Sequence, residues 1–301
     1  MLSAGRDGTI RLWSATGTGE RAVLGGHDGE VLAASFSPNG KLVVSAGDDG
    51  TVRLWRADGL GEPLMLGTQS VAVFAVSFSP DGTRVVSADD DGMVRLWRAD
   101  GTGEPLILRG HTGWVLAASF SPDGTRVASV GRDSTVRLWT ADGVGEPLIF
   151  GRHLGGVSSV SFSPDGTRVV STGWDGMVRL WRTDGSGEPL ILRGHEGSVL
   201  TASFSPDGTR VVSAGRDGTV LLWHADGIGE PLILTEHVGR VFAASFSPDG
   251  TRVVGASGDG SLRVWRVFTS EHALIEEARA SLPRQLTDAQ RAKYHLPPRS
   301  V

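Results

Sequence analysis

The stretch Ser45-Ala46-Gly47-Asp48-Asp49-Gly50-Thr51-Val52-Arg53-Leu54-Trp55 decides the fold, because the chain repeats it with little change. Its closing tryptophan recurs as Trp13, Trp55, Trp97, Trp139, Trp181, Trp223 and Trp265, always 42 residues apart. A unit near this length cannot bury its own apolar face and must stack on copies of itself, so the interval implies a repeat architecture. One full unit reads as four short strands. Val31 to Ser37 is mostly apolar, Ser37-Pro38-Asn39-Gly40 is a tight turn, and Leu42 to Ala46 forms the second strand. Gly47-Asp48-Asp49-Gly50 turns the chain into Thr51 to Trp55. Ala57-Asp58-Gly59-Leu60-Gly61 then leads to a fourth strand, Glu62 to Leu66.

The β-branched content and the lack of a 3.6-residue period exclude helical solenoids of similar repeat length. The first three strands are apolar on both sides, as suits a sheet held between two neighbours. Pro63, Pro105, Pro147, Pro189 and Pro231 fall on the fourth, where an edge strand tolerates a missing N–H. The expected fold is all-β: a seven-bladed β-propeller of four-stranded antiparallel blades, occupying 1–267. Met1 aligns with Val43, so the first blade is expected to lack its inner strand, and no Glu-Pro-Leu rim strand follows Trp265. The array is thus two strands short of seven full blades. Three explanations fit: a longer array continues beyond the start, the tail or a partner fills the gap, or six blades close with the first rim strand completing the last. In the tail, 268–301, Ser270 can cap a helix from Glu271 to Leu282, and Thr287-Asp288-Ala289-Gln290 can open a second toward Tyr294. The stripe Leu274, Ile275, Ala278 and Leu282 is expected to pack on or near the last blade, with a partner surface as the alternative.

A formal net charge of −5 and a pI near 5.9 argue against nucleic acid or an anionic membrane as partner. With no cysteine there is neither a disulfide nor a thiolate metal site. The start resembles no secretory signal and no run is long enough to span a bilayer, which makes the cytoplasm the default location.

The Gly-His pairs Gly26-His27, Gly110-His111 and Gly194-His195, together with Ser-x-x-x-Asp-x-x-Val-x-Leu-Trp from Ser45 to Trp55, resemble the WD-repeat propellers. The resemblance covers about 1–267. It departs at one point, since no tryptophan of the ruler precedes an Asp: Ser14, Arg56, Arg98, Thr140, Arg182, His224 and Arg266 follow instead. Copies this alike resemble bacterial WD-repeat regions attached to large signalling proteins. The resemblance implies that a recurring tetrad forms a buried hydrogen-bond chain. Its members are His27, Ser45, Asp49 and Trp55; His111, Ser129, Asp133 and Trp139; His153, Ser171, Asp175 and Trp181; and His195, Ser213, Asp217 and Trp223. Two units are defective: Thr68-Gln69 replaces Gly-His, and Gly255 replaces the serine.

A serine hydrolase uses the same polar types, but it needs one triad beside a pocket and an oxyanion hole, not copies round a ring. Histidines in different blades cannot converge on a metal. Asp89-Asp90-Asp91-Gly92 lacks the spaced ligands of a calcium loop and reads as a solvated turn, and Gly101-Thr102-Gly103 opens no helix and reads as a linker. No catalytic residue and no cofactor is expected.

Function is sought where the copies disagree. The residue before each tetrad Asp runs Arg6, Asp48, Asp90, Arg132, Trp174, Arg216, Gly258. Three residues after each tetrad His, or its Gln replacement, come Glu30, Ala72, Trp114, Gly156, Ser198 and Arg240. Two further on stand Leu32, Phe74, Leu116, Ser158, Leu200 and Phe242. In a WD-repeat propeller these positions border the mouth of the central channel. Exposed aromatics, arginines and a few acids there match the composition of interface hot spots. The expected partner-binding set is therefore Trp114, Trp174, Phe74, Phe242, Arg6, Arg132, Arg216, Arg240, Asp48, Asp90 and Glu30, the partner being a protein, a peptide or another domain of a parent chain. A sensor lid acting in cis, and an enzyme or carbohydrate binder using the channel, are the competing readings.

Overall fold

The computed structural model describes residues 2–14, 19–234 and 237–268. They form seven antiparallel sheets, each following the last along the chain. The five middle sheets have four strands in sequential order. In the second, Val31–Phe36 is innermost, Leu42–Gly47 and Thr51–Arg56 follow, and Leu64–Thr68 is the rim. The first blade has only Leu2–Ala4, Thr9–Trp13 and Glu20–Gly26; Leu2 occupies the place of Val44, so the missing strand is the inner one. Among the described residues the last blade has Val241–Phe246, Arg252–Ser257 and Leu262–Arg266. The chain is a seven-bladed β-propeller. Glu20–Gly26 pairs with Thr9–Trp13, not with the last blade, so the six-blade closure does not occur. The expected tail helices lie outside the described residues.

The core is divided into slabs, one between each successive pair of blades. Between the second and third, Val44, Ala46, Val52 and Leu54 pack on Val73, Val76, Val85 and Trp97. The other five slabs repeat this pattern, each joining an aliphatic face, valine and leucine in all but the first blade's Ile10 and Leu12, to the tryptophan face of the following blade. Fully burying one such side chain contributes about 1.5–3 kcal/mol. Alternation decides the faces: Val52 and Leu54 look forward, Trp55 looks back. The tryptophan lies so flat on the preceding rim strand that a Cβ on Gly67 would sit 2.3 Å from the Trp97 ring. Among the described residues no slab joins the last blade to the first.

Two details depart from the sequence reading. Rim strands begin at Leu64, Leu106, Leu148, Leu190 and Leu232, one residue after each proline, because proline has no N–H to give the ladder. In every inner strand from the second blade to the seventh, the register slips after the first valine, as between Val31 and Ala33 or Val241 and Ala243. The bulged residue is thereby freed from the sheet's alternation.

Candidate interaction surface and the tetrads beneath it

The tetrad in the second blade is a closed relay. His27 Nδ1 lies 2.9 Å from Asp49, and Nε2 lies 2.7 Å from Ser45 Oγ, which accepts the Trp55 indole N–H at 2.7 Å. That acceptance leaves the serine proton for Nε2, so the ring is neutral and Nδ1–H donates to Asp49. His111, His153 and His195 repeat the arrangement, with Nε2 at 2.8 Å from Ser129, Ser171 and Ser213. Burial holds His27, His153 and His195 below the usual imidazole range despite the neighbouring carboxylates. Burial works to raise the Asp49 and Asp175 carboxyls as well. Their hydrogen bonds outweigh it and hold both at about 2.

The sequence reading missed two further members. Thr51 donates its hydroxyl to Asp49 at 2.8 Å, and Arg53 bonds Thr51, Asp49 and the Gly26 carbonyl. The signal was available, since Arg11, Arg53, Arg95, Arg137, Arg179 and Arg263 recur two residues before the tryptophan, and only Leu221 breaks the series.

In the third blade the acidic turn is not wholly solvated, which corrects the sequence reading. Asp89 stands where the neighbouring blades have Gly47 and Gly131, and it is fully buried against Arg95, which also donates to Gln69 and Asp91. Two carboxylates share one guanidinium in the space that histidine fills elsewhere. Burial, reinforced by Asp91, pushes Asp89 up to about 8. A carboxyl raised above its ordinary 3.8 adds stability at low pH that is lost as pH climbs through about 8. Wild type is therefore expected to lose stability relative to Asp89→Asn as pH rises from about 4 to about 8, with no further loss above that range, at about 1.4 kcal/mol per pKa unit of displacement. Parallel pH profiles in calorimetry would refute this. The last blade shows the opposite defect: with Gly255 in place of serine, His237 Nε2 is buried without a partner.

Above the tetrads, one backbone bond recurs in six blades. The residue before the tetrad Asp donates its N–H to the carbonyl of the residue three after the His position: Asp48 to Glu30, Asp90 to Ala72, Arg132 to Trp114, Trp174 to Gly156, Arg216 to Ser198 and Gly258 to Arg240. The two variable positions are thus held side by side by main chain alone, which leaves their side chains free to differ. The third variable position is the bulge residue itself.

This arrangement brings together Phe74, Trp114, Arg132 and Trp174. Phe74 and Trp114 stack with centroids 5.2 Å apart and planes at 28°. The Arg132 guanidinium lies 3.6 Å above the Trp114 ring and 5.6 Å from that of Trp174. Trp174 rests on Gly156, where a Cβ would come within 2.9 Å of its ring. Trp114 and Trp174 remain exposed despite these contacts. Arg6 and Glu30 pair at 3.3 Å across the first two blades. Asp48, Arg216, Arg240 and Phe242 are exposed and Asp90 half-buried; no contact draws them into the aromatic row. A cavity opens at the other end of the strands, beside Trp13, Phe36, Lys41 and Arg56. Among the described residues no cluster of His, Asp and Glu could hold a metal, and no helix is long and apolar enough to cross a membrane.

A family profile described as "WD domain, G-beta repeat" matches residues 19–56, 62–98, 104–140, 147–182, 188–224 and 230–266. No curated protein matches the chain. Propellers of that family commonly serve as protein-interaction scaffolds and are generally not catalysts. With six matched repeats spanning most of its length and tetrads closed in four blades, the chain belongs to the WD-repeat family.

Proposed function

We propose that this propeller is a non-catalytic scaffold whose channel mouth binds a protein or peptide, with no role for nucleic acid, membrane or cofactor. The observation that carries the reading is the row Phe74, Trp114, Arg132 and Trp174 across three consecutive blades. Stacking holds the rings in place before any partner arrives, so little side-chain freedom is left to lose on binding. Arg132 is held flat, with its edge open to a carboxylate or a carbonyl. Use of the tetrads as hydrolase triads is disfavoured, since Ser45, Ser129, Ser171 and Ser213 are fully buried with each hydroxyl oxygen accepting a tryptophan N–H, which leaves no room for a substrate at the would-be nucleophile.

The test is a peptide library selected on the wild-type chain and re-measured on Trp114→Ala plus Trp174→Ala. Removing two aromatic anchors is expected to weaken the selected binders by more than about tenfold. Unchanged affinity for all of them would remove this surface from consideration. A cis-acting sensor or autoregulatory domain of a larger bacterial signalling protein would use the same surface. In that case the ligand is a segment of the parent chain, and joining it should block the selected peptides.

A further inference from the structure

At the end of the strands opposite the channel mouth, arginines tie successive blades together. Arg84, at the start of the third blade's second strand, donates to the Gly124 and Ala141 carbonyls of the fourth blade at 2.7 and 2.8 Å, and its guanidinium lies 5.2 Å from the Phe120 ring centroid. Arg126, Arg168 and Arg210 repeat the clamp on the blades that follow them. Each reaches the carbonyl of the next turn glycine, Gly166, Gly208 or Gly250, and a second carbonyl just past that blade's third strand. Arg168 and Arg210 also lie over that blade's phenylalanine, at 5.4 and 5.5 Å. Four consecutive junctions therefore hold one guanidinium between two carbonyls.

The junction between the second and third blades breaks the series, because Leu42 stands where the later blades have arginine. The frame around it is unchanged: Pro38 lies 3.5 Å from where a Cβ on Gly82 would sit, as Pro80 lies 3.6 Å from one on Gly124. Phe78 stands at the position of Phe120. Among the described residues the Gly82 and Ala99 carbonyls, the counterparts of those of Gly124 and Ala141, accept no hydrogen bond. An open cavity lies there, lined by Leu42, Gly82, Arg84, Arg98, Ala99 and Asp100. Lys41 does not substitute for the arginine: it is exposed, and its ammonium bonds neither carbonyl.

We propose that this socket receives an arginine side chain from a partner polypeptide. The occupant is identified by the sockets already filled, in which a planar fork of N–H donors spans two carbonyls and a neighbouring aromatic ring favours a flat cation. A lysine ammonium is a point donor and does not bridge the two carbonyls as a fork does. The Arg98–Asp100 pair at the rim, 2.8 Å apart, does not bar the way, since the equivalent Arg182–Asp184 pair, at 2.6 Å, stands on the blade that Arg126 clamps. The socket lies at the opposite end of the strands from Trp114 and Trp174, so it is filled independently of the channel mouth.

The test titrates the full chain with a short glycine peptide carrying one arginine, its ends acetylated and amidated, and with two control peptides in which that residue is citrulline or lysine. Amide NMR is expected to show the arginine peptide shifting Gly82, Asp100 and Gly101 and binding more than about tenfold tighter than either control, because citrulline keeps the shape without the charge and lysine keeps the charge without the fork. Leu42→Arg supplies the missing clamp from within and should abolish the shifts. The comparison of the three peptides on wild type decides the matter even if Leu42→Arg fails to fold. Trp114→Ala plus Trp174→Ala should bind the arginine peptide like wild type, even if it loses the peptides selected for the channel mouth. No shift at this junction, control peptides that bind as well, retained binding in a folded Leu42→Arg, or loss of binding in the double tryptophan variant would each overturn the proposal.

Discussion

Asp133→Ala is expected to lower stability by about 3–5 kcal/mol, the usual cost of removing one partner from a buried charged network. One carboxylate serves His111 Nδ1 at 2.9 Å, the Thr112 and Thr135 amides at 3.2 and 3.1 Å, the Thr135 hydroxyl at 2.8 Å and Arg137 at 3.3 Å. Removing it leaves a buried imidazole N–H and a buried guanidinium without their acceptor. His111 and Thr135 are buried, so the groups left behind are poorly placed to turn to solvent instead. Asp142 is the control: it is exposed, accepts from the Val144 amide at 3.0 Å, and its alanine variant should fall within about 0.5 kcal/mol of wild type. In a propeller each blade answers mainly to its neighbours, so the damage should centre on the fourth blade. Hydrogen exchange would show that localisation and calorimetry the size. Equal melting temperatures for the two variants would mean the tetrad contributes no stability.

How much of this was legible differs by level. The blades were, because a 42-residue period and two-sided apolar strands leave few ways to bury a core, and the stretch ending at Trp55 carries both. The short first and last blades were readable from the same alignment. What stayed hidden depends on register. Nothing in Val31-Leu32-Ala33 announces a bulge, yet that slip turns Leu32, Phe74 and Phe242 out of the sheet. Asp89 was read with its neighbours as solvent-facing, because an acidic triplet looks like a turn until one member is found at a position glycine fills elsewhere. The inter-blade arginines were equally invisible: Thr83-Arg84 reads as the start of a strand, and only packing shows its guanidinium crossing to Gly124. For the candidate surface, comparison among copies picked out the variable positions but not their grouping. Trp114 and Arg132 became partners only once the backbone bond between them was seen.

Acid should unfold the protein in two stages, for reasons that lie in the tetrads. His27, His153 and His195 are held below the usual imidazole range of 6.5 by burial, so below about pH 6.5 the unfolded chain takes up protons that the folded chain refuses. Stability from these groups is complete above that range and is lost as pH falls through it. Protonating the ring also breaks the relay, since Ser45 Oγ would face donors from both His27 and Trp55 and could no longer give its own proton to Nε2. The carboxylates act lower down. Asp49 and Asp175, at about 2 against an ordinary 3.8, contribute on the order of 2 kcal/mol each above pH 4, lost as pH falls toward 2. Asp133 and Asp217 are shifted in the same direction and add to this stage. The histidine contribution is therefore expected to be lost first, as pH falls below about 6.5 and against the opposing gain from Asp89, and the carboxylate contribution below about pH 4. Replacing His153 and His195 with glutamine, the residue the third blade already carries at Gln69, removes their titration and should flatten the first stage while leaving the second in place. If the glutamine variants lose as much as wild type between pH 7 and 5, the histidines are not the acid-sensitive element of the blades.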